Sequence, residues 1–421
     1  MRALISDPDV VIVGAGAAGV GAARRLAASG LSTLVLEAST RVGGRAFTEE
    51  TAGMPLDLGC GWLHSANRNA WARIADEEGF AIERGRAAWG VQDRDRGFPP
   101  EDQAAAGRAY AAFERRLETD PPPSDRAADA LEPGGAWNAY IQAISGFLNG
   151  ETLERVSVAD YMAYEEALTD RNWRVPAGYG TLVAASVPRR VGLLLATPVD
   201  AITPTPSGVT LTTPCGDIRA RAAIVTVSTA VLASGAIRLP PELDAWRRAA
   251  EVLPLGRNEK LFFEIVDEGV FAAESHVLGN PRDARTGSYY IHPFGRPALE
   301  CFLGGDGARL VEREGPAAGF AQALDELAAL FGSDARKALR PLAASHWARA
   351  SRIGGAYSHA LPGHSAARKR LAEPFDGRIF FAGEATHAFD FSTAHGAHDT
   401  GVRAASEAIA ALAQPARAAS A

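Results

Sequence analysis

The sequence predicts an α/β fold: a Rossmann-like, dinucleotide-binding domain with a parallel sheet, interleaved with an α+β domain. Three observations predict it. The apolar run Val10-Val11-Ile12-Val13 ends directly on Gly14-x-Gly16-x-x-Gly19. A helical stretch from Ala17 to Ser29, stopped by Gly30, leads into a second apolar run at 31–38, which makes a βαβ unit. A further apolar run, Ile379-Phe380-Phe381, comes only near the C-terminus, so the nucleotide domain is assembled from separated pieces.

Taken in order, residues 9–14 read as a buried strand, short, β-branched and closed by glycine. The stretch 70–170 changes character, with helices expected at 69–78, 102–118, 135–148 and 158–168, broken at 120–125 by three consecutive prolines. After a turn-like 176–180, strands are expected at 198–203, 208–213, 217–220 and 222–227. Strands near 259–266, 287–292 and 298–304 and a helix near 317–331 precede the strand at 378–382 and a last helix from about Gly401. The expected division gives 1–69, 190–240 and 370–421 to the nucleotide domain, and 70–189 and 241–369 to a substrate domain. Such interleaving puts a ligand cleft at the domain junction.

Composition narrows the function. At 421 residues, 47% hydrophobic and 22% charged, the chain matches a soluble globular protein with two or three units. A net charge of −7 argues against a nucleic-acid binder and slightly favours cationic substrates. Cys60, Cys215 and Cys301 lie too far apart for a disulfide framework or a zinc motif, so no metal is expected. No stretch offers the roughly 20 apolar residues of a membrane span, and no secretory signal is visible. The expectation is a cytoplasmic protein without a membrane partner, monomer or homodimer.

The glycine triplet carries chemistry because of its place. Between strand and helix, Gly14 permits the tight turn, Gly16 lets the backbone approach a pyrophosphate, and Gly19 allows close helix–sheet packing. The helix N-terminus offers free N–H groups to the phosphates. Glu37, 18 residues after Gly19, can accept from both ribose hydroxyls and would repel a 2′-phosphate, which argues against NADP. A glycine-rich turn without a ligand is the bland alternative. Arg45 can reach the pyrophosphate as a fixed cation or stand as a solvated loop residue.

Glu37-x(3)-Arg41-x-Gly43-Gly44-Arg45 resembles the Glu-x(3)-Arg-x-Gly-Gly-Arg signature of the FAD-containing amine oxidase superfamily, shared with related desaturases and protoporphyrinogen oxidases. Phe381-Ala382-Gly383-Glu384 and Ser392-Thr393-Ala394-His395-Gly396-Ala397 are similar to its motifs at the flavin end, and Asp57-Leu58-Gly59-Cys60-Gly61-Trp62 to the segment that passes the flavin. Val199 resembles the valine whose backbone contacts adenine; Val225-Thr226-Val227-Ser228 lacks the usual terminal proline. The resemblance implies FAD, bound by Gly14, Gly16, Ala18, Gly19, Glu37, Arg45, Gly61, Trp62, Val199, Trp347, Gly383, Glu384, Thr393 and Ala394. It covers about half the chain well; 70–170 matches in helical character only.

The same resemblance bears on substrate. Where L-amino-acid oxidases place a carboxylate-binding arginine, this chain has Trp62. Trp347-x(6)-Gly354-Gly355-Ala356-Tyr357 is similar to the stretch in which monoamine oxidases carry the cysteine that bonds flavin; Ala356 cannot, so FAD should be non-covalent. Tyr357 takes one wall of the aromatic cage and Thr393 the place of the other. The Thr-x-His-Gly-Ala pattern is closer to polyamine oxidases. Lys260, one of only three lysines, aligns with the family lysine that holds a water near flavin N5; read from pattern alone it is a snorkelling lysine on a half-buried strand. His64 and His395 can contact substrate or serve as structural hydrogen-bonders.

The implied activity is hydride transfer from the carbon next to an amine nitrogen to FAD N5, with Lys260 and Tyr357 in catalytic places and Trp62, His64 and Thr393 facing substrate. The imine would hydrolyse to an aldehyde or ketone, and O2 would reoxidise the flavin to give hydrogen peroxide. The alternatives are a desaturase or porphyrinogen-type oxidase on the same scaffold, and a flavoprotein that serves only as an interaction module.

Overall fold

The computed structural model describes residues 7–413. Val10–Val13 is buried along its whole length because it is the middle strand of a parallel sheet covered on both faces. The order across that sheet is Ile379–Phe381, Ala222–Val225, Val10–Val13, Thr33–Leu36, Gly192–Leu194. The two central pairings, Val10 with Thr33 and with Ala222, are in register to Val13 with Leu36 and Val225. Ligands of such sheets bind beyond the carboxyl ends of the strands, and Gly14, Glu37, Thr226 and Gly383 all lie there.

The first helix, Ala17–Ala27, packs lengthwise on the C-terminal helix, Ala394–Ala413. Glycines allow the approach: a Cβ on Gly401 would lie 2.0 Å from the Ala18 carbonyl oxygen, and one on Gly21 would lie 2.5 Å from that of His398. The last helix was expected from about Gly401 and starts two turns earlier. The Thr393 hydroxyl accepts from the Gly396 N–H at 3.0 Å and caps it there.

An antiparallel sheet of five strands carries the other half of the cleft, in the order Ser275–Leu278, Ser288–Ile291, Ala298–Gly304, Asn258–Ile265, Leu339–Ala344. Strand alternation sorts its residues. Leu261, Phe263, Leu299, Cys301 and Leu303 join the core that includes Val311, Ala323 and Leu327 of the helices Asp306–Glu314 and Pro316–Phe331. Lys260, Phe262 and Glu300 therefore face the other way, and Phe262 meets Leu56, Leu58 and Trp347. Helices Pro100–Thr119, Asn138–Asn149 and Val158–Ala167 form a separate apolar cluster around Phe113, Ile141 and Tyr161.

Sequence periodicity missed the hairpin Thr48–Thr51/Met54–Asp57, the edge strand Gly192–Leu194, and Ser275–Leu278 and Leu339–Ala344. These are three to six residues long, and Thr48-Glu49-Glu50-Thr51 carries no apolar residue to alternate. Among the described residues no helix is long and apolar enough to cross a membrane, and no group of three His, Cys, Asp or Glu is placed to hold a metal ion.

Candidate active site

The phosphate cradle is built by close backbone contact. Gly14 has φ +107°, and a Cβ on Gly19 would lie 2.0 Å from the Gly14 carbonyl oxygen, so neither position admits a side chain. At Gly16 the nearest atoms to a built Cβ are the Gly43 carbonyl oxygen at 3.9 Å and the Gly44 Cα at 4.0 Å, which leaves its backbone open to a ligand. Glu37, buried at the end of its strand, accepts from the Ala15 N–H at 2.7 Å and the Ser39 N–H at 2.8 Å. Both contacts fix its carboxylate beside the helix N-terminus.

At the other end, Arg45 and Glu384 form an ion pair at 2.9 Å. Burial alone would push the Glu384 carboxyl up; Arg45 and Arg368, with the Ser358 and Ser392 hydrogen bonds, hold it below the usual carboxylate range. Ser358 donates its hydroxyl to Glu384 at 2.6 Å and accepts from Arg368 at 2.9 Å, and Arg368 in turn binds Asp160 through Nε at 2.6 Å and Nη2 at 2.8 Å. The chain Asp160–Arg368–Ser358–Glu384–Arg45 thus ties a helix of the 70–170 region to the nucleotide cleft. No sequence motif marks Asp160 or Arg368.

Between these ends runs 57–64. Asp57 is half-buried; desolvation raises its carboxyl, with Lys260 and hydrogen bonds from Thr48 and the Tyr179 and Gly180 N–H groups opposing. Gly61 lies against the lysine: a Cβ there would stand 3.2 Å from Lys260 Nζ. That ammonium is 2.8 Å from the Glu300 carboxylate, an ion pair by distance, yet makes no well-directed hydrogen bond to any protein acceptor. Sequence reasoning did not find Glu300. Cys60 is half-buried here, and desolvation pushes its thiol up to about 12, so it stays protonated.

The front of the cleft is aromatic. Trp62 meets Trp89 edge-on at 4.2 Å and Tyr290 at 5.9 Å. His64 binds Asn172 at 2.9 Å, and burial lowers it to about 4, so it is neutral at pH 7. Tyr357 donates its hydroxyl to the Phe147 carbonyl and is held protonated by burial.

Three of the expected contact residues have partners within the protein. The Thr393 hydroxyl is spent on its helix cap and on the Asp390 carbonyl at 2.7 Å. Trp347 is buried behind the site, with its indole N–H on the Leu58 carbonyl at 2.9 Å. Ala394 offers its carbonyl to Trp71 at 3.0 Å. Ala18 is buried in the first helix, and Val199 is buried in the connection that precedes the strand Ala201–Thr205. His395 lies 3.2 Å from Asp390, which also pairs with Arg68, and 3.3 Å from Asn69.

The donor set fits FAD. An open glycine cradle at a helix N-terminus suits the pyrophosphate, and a buried acid at the second strand's end suits the ribose. Beside the Arg45–Glu384 ion pair lies a small recess bordered by Val227, Ser228 and Thr229, and the buried Thr229 hydroxyl on its wall has no hydrogen-bond partner among the described residues. Lys260 Nζ, ion-paired with Glu300 but without a well-directed hydrogen bond among the described residues, lies against Gly61. Fold and site together define a flavin-dependent oxidoreductase.

The family follows from comparison. The model of the family described as flavin containing amine oxidoreductase matches residues 17–409, and the chain belongs to that family. It is an FAD-dependent amine oxidase, with no cysteine at Ala356 to bond the flavin. Among curated proteins it is 27% identical to polyamine oxidase 2 of Arabidopsis thaliana, over 95% of this chain and 88% of that one. It is 28% identical to polyamine oxidase 4 of Oryza sativa subsp. japonica, over 96% and 89%. The solved cyclohexylamine oxidase from Brevibacterium oxydans IH-35A shares the fold at a TM-score of 0.76 and 21% identity, covering 97% of this chain and all of that one.

Proposed function

We propose that this enzyme oxidises an amine delivered as the neutral base through the aromatic front wall to a centre beside Lys260. The observation that carries the reading is the Lys260 ammonium, buried, pressed against Gly61 of the 57–64 segment, and paired with Glu300 by distance but without a well-directed hydrogen bond among the described residues. FAD, when bound, supplies the two-electron acceptor for the hydride on the carbon next to nitrogen.

The chain's own residues prepare the amine. With a pKa near that of lysine, deprotonation at pH 7.4 costs about 4 kcal/mol. The half-buried rings of Trp62 and Tyr290 thin the water around the amine and disfavour the cation, which offsets part of that cost. His64, uncharged at pH 7, adds no positive charge to repel an arriving ammonium. Gly14, Gly16, Gly19 and Glu37 hold the nucleotide end of the cofactor, Arg45 and Glu384 the phosphate–ribityl region, and Tyr357 one wall of the cage. The parallel sheet with 1–69, 190–240 and 370–421 forms the FAD domain, and 70–189 with 241–369 the substrate domain. Dioxygen is the electron acceptor, and the free cysteines suit a reducing cytoplasm.

The test is a panel of polyamines, aryl and aliphatic monoamines, cyclic amines and amino acids scored for hydrogen peroxide under air. Turnover of at least one amine with stoichiometric peroxide is expected. Turnover of amino acids alone would overturn the reading, because Trp62 leaves their carboxylate without an anchor.

A further inference from the structure

Arg174 is a buried arginine that the reaction as described does not use. Its backbone pairs with Glu83, and its neighbour Trp173 pairs with Leu63, so it sits behind the 57–64 segment. Its guanidinium is shared between the carboxylates of Glu83 and Glu274 and lies 5.0 Å from the ring centre of Trp62, 4.8 Å from Tyr290 and 4.2 Å from Phe294. Nη1 is buried with no hydrogen-bond partner among the described residues, so that edge of the fork is stabilised by ring faces.

The surroundings are costly to build. Glu274, His292 and Phe294 are non-glycine residues at φ +38°, +51° and +61°, all on segments that meet around this guanidinium. Left-handed backbone at bulky residues persists only where the surrounding structure enforces it, and it gathers at binding sites. The side chains of the acids are 35% and 38% exposed, while that of the arginine is 8% exposed. Burying an arginine against acids half in water is a poor way to gain stability. It is a good way to fix a planar cation over three rings.

We propose that Arg174 is the positioning residue of the amine pocket: it clamps the Trp62 indole, the wall next to Gly61 and Lys260, and so sets how tightly the amine is held without touching the cofactor. The inference rests on the amine-oxidase reading of the site. A Trp62 ring freed from the guanidinium keeps only its ring contacts with Trp89 and Tyr290, and the pocket loses its shape before it loses its chemistry.

The test uses Arg174→Met, Arg174→Lys, Trp62→Phe and the Arg174→Met/Trp62→Phe double variant as holoenzymes, with the best amine of the panel. Arg174→Met should raise KM about 10-fold while kcat changes less than about threefold. Arg174→Lys, which keeps the charge but not the fork, should recover only part of the loss. In the Trp62→Phe background the Arg174→Met effect should largely disappear, because the arginine acts through that ring. Tryptophan emission, read without any amine, should shift in Arg174→Met and not when Trp62 is already Phe. An unchanged KM, or effects that simply multiply, overturns the clamp. If Arg174→Met fails to fold, Glu274→Gln, which removes one exposed anchor, gives the same KM and emission comparison. A wild type that oxidises no amine defeats the parent reading, and the emission arm still decides whether Arg174 holds Trp62.

Discussion

Asp160→Asn isolates the network that joins the helical region to the FAD cleft. Asp160 and Arg368 have side chains 2% and 3% exposed, and the carboxylate takes two guanidinium hydrogen bonds, at 2.6 and 2.8 Å, plus the Ala360 N–H at 2.8 Å. Asparagine keeps the volume and one acceptor but removes the charge. Arg368 is then left with Ser358, the Ala385 carbonyl and the Phe391 ring, 3.6 Å below its carbon, as direct partners, and it meets the Glu384 carboxylate through Ser358 and through space without a direct bond. Breaking a buried pair from one side costs about 3–5 kcal/mol, because the surviving charge stays desolvated. The loss should reach the cofactor, since Ser358 bridges Arg368 to Glu384. Urea unfolding of wild type and variant, followed by tryptophan and by flavin fluorescence, measures both effects. The variant should unfold at lower urea and release flavin first. A difference under about 1 kcal/mol, or flavin retained until global unfolding, refutes the reasoning. An Asp160→Leu/Arg368→Met double variant should recover part of the stability, because it removes both charges.

Other perturbations have equally definite outcomes. Glu259, on the opposite face of the lysine strand, is pushed up to about 7, chiefly by burial against the Ser345 hydrogen bond. Its folded value lies above its unfolded value, so ionisation disfavours the fold increasingly between about pH 4.5 and 7 and by a constant amount above that, about 3 kcal/mol. Glu259→Gln should therefore gain stability over wild type at pH 8 relative to pH 5, as read by thermal unfolding; a difference independent of pH would contradict the assignment. Glu384 has the opposite sign: its folded value is depressed, so its contribution is complete above the unfolded value near 4.5 and is lost only as pH falls through the folded one. Glu384→Gln should weaken FAD retention at pH 7, measured by absorbance at 450 nm after gel filtration, and make that retention less sensitive to acid. Gly19→Ala puts a methyl 2.0 Å from the Gly14 carbonyl and should yield protein without flavin absorbance.

What the sequence disclosed was what local pattern encodes. Gly14-x-Gly16-x-x-Gly19 and Glu37 could be assigned because turn, helix start and acid follow one another within 24 residues of one chain segment. Lys260 stood out through its rarity and its strand. Its ion-pair partner could not be read, because Glu300 lies 40 positions away on a neighbouring strand and only the antiparallel register brings them together. The Arg174 cluster draws on residues 62, 83, 274, 290 and 294, so no window of sequence contains it. The late start expected for the C-terminal helix has a similar cause. His395-Gly396 reads as loop, but the glycine is there for packing, since a Cβ on it would lie 1.9 Å from the Asp390 carbonyl oxygen.

Anaerobic mixing of the purified yellow protein with an amine tests the central claim most directly. The account predicts loss of the 450 nm flavin band at a rate that saturates with amine concentration and falls below the pH at which the amine deprotonates. A protein that carries no FAD and takes none up, or whose flavin band survives every amine of the panel, would contradict it.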